Sequence, residues 1–345
     1  MGPVERLTAA WYLPRLVATS ALLLPLAALY GAVVALRRRL YRTGILRAER
    51  VGVPVVVVGN PTVGGTGKTP LAIALADALA ARGWHPGFVS RGHGRRAADV
   101  RVVRPQDTAD EVGDEPLLLA ATGRTVAVGA DPAAAARLLL AHDPACDLIV
   151  ADDGLQHYRL ARDVEIAVVD ATRGLGNGWM LPAGPLREPA ARLDEVDAVV
   201  RLVDADRWEE SADGRSTLMA HEPVAWRNLA RPGRVIAPAA LRPQRAWAIA
   251  GTGHPARFFA LVARLGIEAR TRAYPDHHAY TPADLDLSEA DAILMTAKDA
   301  VKCGAFADER CWALDIRARI DPALVSRVEE KLKWIRSSWK SSSAR

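Results

Sequence analysis

The feature that most constrains the fold is a run of valines that leads directly into a glycine-rich loop. Residues 55–58 are all valine, as in a buried strand, and a helical pattern begins near Lys68. In such a loop the backbone N–H groups and the positive end of the helix hold a polyphosphate, while the lysine and the next hydroxyl bind phosphate and Mg²⁺. The sequence therefore predicts a nucleoside triphosphate site formed by Thr62, Val63, Gly64, Gly65, Thr66, Gly67, Lys68 and Thr69.

The loop departs from the usual pattern at one position. The pattern G-x-x-x-x-G-K-[ST] has glycine where this chain has Thr62, so the match depends on the residues from Gly64 to Thr69. A glycine-rich turn without a ligand is the alternative. We favour the phosphate loop because the strand, the loop and the helix occur in the order that it requires.

Composition limits the class of protein. A chain of 345 residues that is 50% hydrophobic can bury a large core, and its length suggests two domains. Its three cysteines have no metal-ligand spacing and are odd in number, which favours a reducing compartment. The net charge of +5 suits anionic ligands, but no zinc-finger, RRM or helix-turn-helix pattern accompanies it, so we expect no nucleic-acid partner. No obligate protein partner is evident either.

An apolar segment precedes the strand and points to a membrane. Residues 16–36 carry no charge and are followed at once by Arg37, Arg38 and Arg39. About 20 such residues can cross a bilayer. We consider three arrangements: a spanning helix with its arginines inside, a helix lying in the membrane interface with Trp11, Tyr12 and Tyr30 as anchors, and a buried helix of a soluble core. Membrane attachment is favoured, and a cleaved signal peptide is not, because export would remove the phosphate loop from ATP.

Strand and helix patterns alternate beyond the loop and predict an α/β fold. The expected architecture is a mostly parallel, P-loop NTPase-like sheet with a second, smaller α/β domain and an N-terminal membrane-associated helix. The predicted divisions are the apolar helix at 1–42, the P-loop domain at 43–204, the smaller domain at 205–335 and a disordered tail at 336–345. Residues 216–228 are expected to form a pair of strands linking the two domains.

Two carboxylates follow another apolar strand. Asp152 and Asp153 come directly after residues 147–151, and the carboxyl ends of parallel strands are where such sheets bind ligands. Carboxylates in this position hold Mg²⁺ in P-loop proteins, and one or two are sufficient beside phosphate oxygens. A simple turn at Asp153-Gly154 is the alternative. The sequence thus predicts Thr69, Asp152 and Asp153 as metal ligands.

The motifs together identify a known family. The chain resembles the tetraacyldisaccharide 4′-kinases, the lipid A 4′-kinases of Gram-negative bacteria, over most of its length. The resemblance rests on GNPTVGGTGKTP (59–70), SRGHGR (90–95), GDEPLLLA (113–120), DDGLQH (152–157), RGLGNG (173–178), LPAGPLRE (181–188), AIAGTGHPARFF (248–259), DHHAYT (276–281) and TAKDAVK (296–302). It implies ATP- and Mg²⁺-dependent phosphorylation of the 4′-hydroxyl of a tetraacylated glucosamine disaccharide 1-phosphate, at the cytoplasmic face of the inner membrane.

The same resemblance implies roles for individual residues. It makes Asp114 the catalytic base, supported by His277 as an Asp–His pair, with Lys68 on the phosphates. Without it, Asp114 is equally well explained as the N-cap of a helix. The residues expected at the lipid substrate are Glu115, Arg91, His93, Arg173 and Arg187.

Two positions differ from the family pattern. His93 occupies a position where we expect a tyrosine in this family, and Pro61 replaces a more usual aliphatic residue. Neither difference affects the phosphate chemistry. A P-loop ATPase or switch, and a tethered non-catalytic ATP-binding scaffold, are the rival functions.

Overall fold

The computed structural model describes residues 3–13, 15–208 and 216–343. Within these residues the helices are α1 (Pro3–Ala10), α2 (Ala18–Ala21), α3 (Leu24–Arg42), α4 (Lys68–Ala80), α5 (Ala109–Val112), α6 (Asp114–Ala120), α7 (Pro132–His142), α8 (Pro255–Arg264), α9 (Ala297–Cys303) and α10 (Pro322–Ser343). Four short 3₁₀ helices cover Ala190–Asp194, Ala205–Arg207, Pro238–Ala240 and Pro282–Leu285.

The strands form one continuous sheet. They are β1 (Val55–Gly59), β2 (Pro86–Ser90), β3 (Arg101–Val102), β4 (Val126–Val128), β5 (Leu148–Asp152), β6 (Val164–Asp170), β7 (Ala198–Val203), β8 (Ser216–Asn228), β9 (Val235–Ile236), β10 (Ala246–Ala250), β11 (Ala269–Ala273), β12 (Ala292–Thr296) and β13 (Cys311–Ile320). Their order is β11-β10-β12-β13-β8-β7-β6-β1-β5-β2-β4-β3, with β9 paired to β8. The pairs β13–β8, β3–β4 and β8–β9 are antiparallel and the others are parallel, which confirms the predicted mostly parallel α/β sheet.

Helices cover both faces of the β1 region, which explains its valine run. Val56 and Val58 join the same buried cluster as Leu71, Leu75 and Leu79 of α4. Val55 and Val57 point to the opposite face, into a second cluster with residues of α7. A strand buried on both sides needs apolar residues at every position, so it reads as an unbroken run and not as an alternation. This rigid strand positions the loop that follows it.

Strand β8 corrects the prediction of two strands at 216–228. It is a single strand of 13 residues that pairs with β7 on one side and with β13 on the other. Pro223 lies within this strand, although proline cannot donate to a sheet ladder. The structure accommodates Pro223 at a β-bulge. Asp315 of β13 pairs with Ala225 and Ile316 pairs with Pro223, so Val224 has no paired residue in β13.

The C-terminal helix corrects a second prediction. Helix α10 continues through Ser343, so a disordered tail from residue 336 is wrong as far as that residue, and residues 344–345 lie outside the described residues. Leu324, Val328 and Leu332 pack in the same cluster as α4, in the first half of the chain. Helix α10, which begins within the predicted second domain, thus packs against the predicted first domain. The division near residue 205 stays a prediction, since residues 209–215 are not described.

The apolar segment is two helices and not one. The chain turns at Leu22 and Leu23 between α2 and α3, and Pro25 lies in the first turn of α3, where a missing N–H costs nothing. Among the described residues, no helix combines the length and the apolar character that crossing a membrane requires.

Candidate active site

The glycine-rich loop lies at the carboxyl end of β1, where it joins α4. Gly67 immediately precedes α4 and has φ of +84°, a left-handed conformation that side-chain-bearing residues rarely adopt. The Thr66 hydroxyl is buried and has no hydrogen-bond partner. A buried polar group without a partner is costly, so this hydroxyl fits a phosphate oxygen that is not part of the protein.

The beginning of the loop is braced by the protein itself. The Asn60 side chain donates to Thr62 Oγ1 at 3.4 Å, and the Val63 N–H donates to the Pro185 carbonyl at 2.8 Å. These groups are therefore engaged before any ligand binds. The phosphate-binding role of Thr62 and Val63 stays a prediction, and the groups from Gly64 to Thr69 are better placed for it.

Asp153 lies at the centre of a cationic cluster. Arg187 donates to its carboxylate through both terminal nitrogens, at 2.7 and 3.0 Å, and Lys68 Nζ lies 3.6 Å away. Burial alone would raise the pKa of Asp153, but the charges of Lys68 and Arg187 hold it far below its ordinary value. Arg187 also donates to Asn60, so its terminal nitrogens are engaged within the protein, and a substrate contact at Arg187 stays a prediction.

Asp152 is in the opposite electrostatic situation. Its carboxylate is 2% exposed and accepts a hydrogen bond from Thr69 Oγ1 at 2.7 Å. Burial, with the nearby negative charge of Glu115, raises the pKa of Asp152 to about 7. A buried carboxylate beside a hydroxyl, without a cation of its own, is a fitting pair of Mg²⁺ ligands. No cluster of three or more His, Cys, Asp or Glu suited to a metal occurs in the described part of the chain, and Mg²⁺ beside a nucleotide does not need one.

The structure brings Asp114 and His277 together across 163 residues. His277 Nδ1 lies 3.0 and 3.2 Å from the two carboxylate oxygens of Asp114. Asp114 is the first residue of α6 and is 4% exposed, while Gly113 takes the N-cap position. Burial opposes ionisation, but the hydrogen bond from His277 and the charges of Lys298 and Lys302 hold the pKa of Asp114 below its ordinary value.

Lysine 298 completes this second cluster, and the sequence motifs gave it no role. Its Nζ lies 3.3 Å from Glu115 Oε1, 3.3 Å from Asp276 Oδ1 and 3.5 Å from His277 Nε2. These carboxylates raise the pKa of Lys298 in spite of its burial, so the side chain is an ammonium ion.

The remaining predicted substrate residues have mixed surroundings. The His93 ring lies 4.8 Å from the His277 ring, and partial burial lowers the pKa of His93. Arg91 is exposed beside the same loop. Arg173 is engaged: it donates to the Gly253 carbonyl at 2.6 Å and lies over the Tyr12 ring at 4.6 Å. Substrate contacts at these residues stay predictions.

The two halves of the chain, on either side of the predicted division near residue 205, meet directly over the phosphate loop. Gly253 approaches so closely that an added Cβ would overlap the backbone nitrogen of Gly65. Next to it, His254 and Arg257 bond to the buried Asp170 at the end of β6, at 3.1 and 2.8 Å. A cleft of about 550 Å³ remains between the halves, and its walls include Thr69, Glu115 and Lys298. The phosphate loop therefore shares one cleft with Glu115 and Lys298, the neighbours of the Asp114–His277 pair.

Comparison with known proteins decides the family. A family model described as tetraacyldisaccharide-1-P 4′-kinase matches residues 19–333. Tetraacyldisaccharide 4′-kinases of Azoarcus sp. (strain BH72) and Alkalilimnicola ehrlichii are each 50% identical to this chain, over 90% and 91% of it and 92% of each relative. A crystal structure of LpxK from Aquifex aeolicus in complex with ATP is 27% identical, with a TM-score of 0.75 over 91% of this chain and 99% of that one. The chain belongs to the tetraacyldisaccharide-1-P 4′-kinase family.

Membership of this family confirms the resemblance inferred from the motifs. It also confirms the enzyme class, because the family and its named relatives are kinases that act on an alcohol group.

The N-terminal aromatic residues make hydrogen bonds beside the site. Trp11, Tyr12 and Tyr30 are membrane anchors in one of the three arrangements considered above, and in the structure they also bond the N-terminal segment to the rest of the protein. Trp11 Nε1 donates to the Pro182 carbonyl at 3.1 Å, Tyr12 OH to the Val63 carbonyl at 3.3 Å, and Tyr30 OH to the Arg187 carbonyl at 3.1 Å. Their polar groups thus bond to half-buried carbonyl groups beside the site, and a role as membrane anchors stays a prediction.

Proposed function

We propose that this protein transfers the γ-phosphoryl group of ATP to the 4′-hydroxyl of a tetraacylated glucosamine disaccharide 1-phosphate. The observation that carries the proposal is the Asp114–His277 pair, which adjoins Glu115 and Lys298 in the wall of the cleft that also contains the phosphate loop. An ATPase or a switch only has to orient water, whereas a kinase needs a base for an acceptor hydroxyl. Membership of the 4′-kinase family supports this acceptor.

ATP binds with its phosphates on the loop from Gly64 to Thr69. The unpartnered hydroxyl of Thr66 and the start of α4 support this placement. We assign Thr69 and Asp152 as the protein ligands of Mg²⁺, because Asp153 is already neutralised by Arg187 and Lys68. When bound, the metal would neutralise charge on the β- and γ-phosphate oxygens.

Asp114 is the base for the acceptor. Its carboxylate takes the proton of the 4′-hydroxyl while that oxygen attacks the γ-phosphorus, and the bond from phosphorus to the bridging oxygen breaks to release ADP. His277 donates its Nδ1–H to the carboxylate and thereby fixes its orientation. Lys68 lies within reach of the phosphates once they displace the Asp153 contact.

The lipid substrate reaches this site along α3. Five apolar residues recur at helical spacing and are all more than half exposed: Leu22 in the turn before α3, and Leu26, Leu29, Val33 and Leu36 on α3. Arg37, Arg38, Arg39 and Arg42 follow at its end. A helix with an apolar face and flanking arginines lies in the interface of an anionic membrane. We infer that it rests on the cytoplasmic leaflet of the inner membrane, with Tyr30 joining it to Arg187 at the site.

The reaction is tested by transfer of label from [γ-³²P]ATP to a detergent-dispersed tetraacyldisaccharide 1-phosphate. We expect labelled lipid to form in proportion to the enzyme and to carry label at the 4′ position. Label found only as free phosphate would disprove the kinase assignment and favour the ATPase.

Membrane attachment is tested by sedimentation with vesicles that contain phosphatidylglycerol. Changing both Leu29 and Val33 to Glu places two charges on the apolar face of α3, and we expect binding to fall at least about tenfold. Val224→Glu is the matched control, because Val224 is 50% exposed but lies at the bulge of β8. Equal binding by all three proteins would refute the role of α3.

A further inference from the structure

Lys298 stands at the meeting point of the two halves, beside the catalytic pair. It is the second residue of α9, and it contacts Glu115 at the start of α6 as well as Asp276 and His277 in the loop after β11. The ammonium is only 17% exposed and lines the same cleft as the phosphate loop. Its contacts thus join residues that the sequence separates by more than 150 positions.

The two ring nitrogens of His277 face groups of opposite kinds. Nδ1 faces the Asp114 carboxylate, which can only accept hydrogen bonds while ionised. Nε2 faces the Lys298 ammonium, which has three N–H donors and no lone pair. A hydrogen bond at both nitrogens therefore requires a proton on Nδ1 and a lone pair on Nε2.

We propose that Lys298 is a positioning residue that keeps Nε2 of His277 unprotonated and so holds the ring in its neutral, Nδ1–H form. Without the ammonium, the negative groups around the ring are Asp114, Asp276 at 3.8 Å from Nε2, and Glu115 nearby. His93 is the other ring in contact. Such surroundings favour a second proton on His277.

The neutral form of His277 matters to the strength of the base. An imidazolium in direct contact with Asp114 would place a full positive charge beside the carboxylate, and a carboxylate paired in this way is a weaker proton acceptor. Lys298 also carries a charge, but its Nζ lies 3.9 Å from the nearest Asp114 oxygen, compared with 3.0 Å for His277 Nδ1. The Lys298 ammonium, which is farther from Asp114, thus prevents a positive charge on His277, which is nearer to it.

The direct test is ¹⁵N NMR of the histidine rings in the full-length protein. His277→Asn assigns the signal among the eight histidines. At neutral pH we expect a protonated Nδ1 and an unprotonated Nε2 in the parent protein and in Lys298→Arg. We expect Nε2 to become protonated in Lys298→Met. Lys302→Met is the matched control, since Lys302 lies 3.9 Å from the same Asp114 oxygen but makes no hydrogen bond to His277; it should keep Nε2 unprotonated.

The kinetic consequence rests on the proposed kinase function, whereas the NMR result does not. We expect Lys298→Met to lower kcat by about 10²-fold, the lower range for general base catalysis, with the ATP dissociation constant changed by less than about threefold. A loss of kcat with Nε2 still unprotonated would overturn the proposal and make Lys298 a docking residue. An unprotonated Nε2 with normal kcat would overturn it as well. If the parent protein labels no lipid, the kinase assignment fails while the ring test still decides the proposal.

Discussion

The cleft has two charged ends that are built in different ways. At the phosphate end, Lys68, Asp152 and Asp153 all come from the first half, at or beyond the ends of its strands, and Arg187 contacts Asp153. At the acceptor end, Asp114 comes from the first half, while His277 and Lys298 come from the second. The phosphate end can therefore form within one half, and the acceptor end exists only when the halves are docked.

This difference shows how a kinase can make proton transfer at the acceptor depend on docking of its two halves. Docking is held by close contacts over the phosphate loop: Gly253 against Gly65, Arg173 to the Gly253 carbonyl, and His254 with Arg257 on Asp170. A change at these contacts should damage proton transfer more than nucleotide binding. Each experiment below acts on one end, or on the contact between the two.

The largest effect is expected at the phosphate end. Lys68→Ala removes the only lysine within 4 Å of Asp153 among the described residues, and it removes the cation assigned to the β- and γ-phosphates. We expect kcat/KM for ATP to fall by about 10³-fold or more, as for other phosphate-binding cations. Lys331→Ala, which breaks an exposed ion pair with Asp197, should change it less than about twofold. Transfer within tenfold of the parent rate would exclude the role of Lys68.

The acceptor end is tested by Asp114→Asn. The amide keeps the shape of the side chain but cannot take a proton, so we expect kcat to fall by about 10²–10⁴-fold. The dissociation constant for ATP, measured by calorimetry, should stay within about threefold, because the phosphate end is untouched. Loss of ATP binding in this variant would remove Asp114 from the role of base.

The phosphate end could be predicted from sequence because its signals are local. Val55 to Thr69 is one uninterrupted segment, and Asp152 is the last residue of the strand that pairs with β1. The apolar strand, the glycines and the carboxylates each have a physical meaning that does not depend on the rest of the chain. The electrostatic difference between Asp152 and Asp153 could not be predicted, because it depends on Arg187, which arrives from 34 residues away.

The acceptor end could not be derived from local patterns. Asp114 resembles any acidic residue at a helix start, and only the family resemblance paired it with His277. Lys298 lies in a short helix among other charged residues, where a lysine is normally solvent-exposed. Strand β8 pairs with β7 of the first half and with β13 of the second, and these pairings join segments that are far apart in the sequence.

The contact between the ends is tested by Gly253→Ala. The new methyl group would overlap the backbone of Gly65, and overpacking of this kind costs about 1–3 kcal/mol. We expect transfer to fall by about 10- to 100-fold, with a smaller loss of ATP affinity, because separation of the halves breaks the acceptor end first. Gly233→Ala is the control, since nothing lies within 4 Å of its added Cβ. An equal loss of transfer and of ATP affinity would contradict the distinction between the two ends.

The smallest effect concerns the stability of the ligand-free phosphate end. Burial raises the pKa of Asp152 to about 7 from an ordinary value of 3.8, so between these values the folded protein binds more protons than the unfolded chain. The free energy of unfolding therefore falls as pH rises through this window. Asp152→Asn lacks this penalty and keeps an oxygen to accept from Thr69. The thermal unfolding midpoint of Asp152→Asn should exceed that of the parent protein at pH 8, and the difference should be smaller at pH 5. The change in this difference should be a few degrees, at roughly 2 °C per kcal/mol.

Magnesium distinguishes this explanation from a general effect of the substitution. A cation bound to Asp152 restores the stability that the ionised carboxylate loses, so Mg²⁺ with a non-hydrolysable ATP analogue should raise the midpoint of the parent protein at pH 8 more than that of Asp152→Asn. If the two proteins respond equally, Asp152 does not hold the metal. In that case Asp153 would have to break its contact with Arg187 in order to bind the metal. The phosphate end would then need a rearrangement before it could function, as the acceptor end needs docking of the two halves.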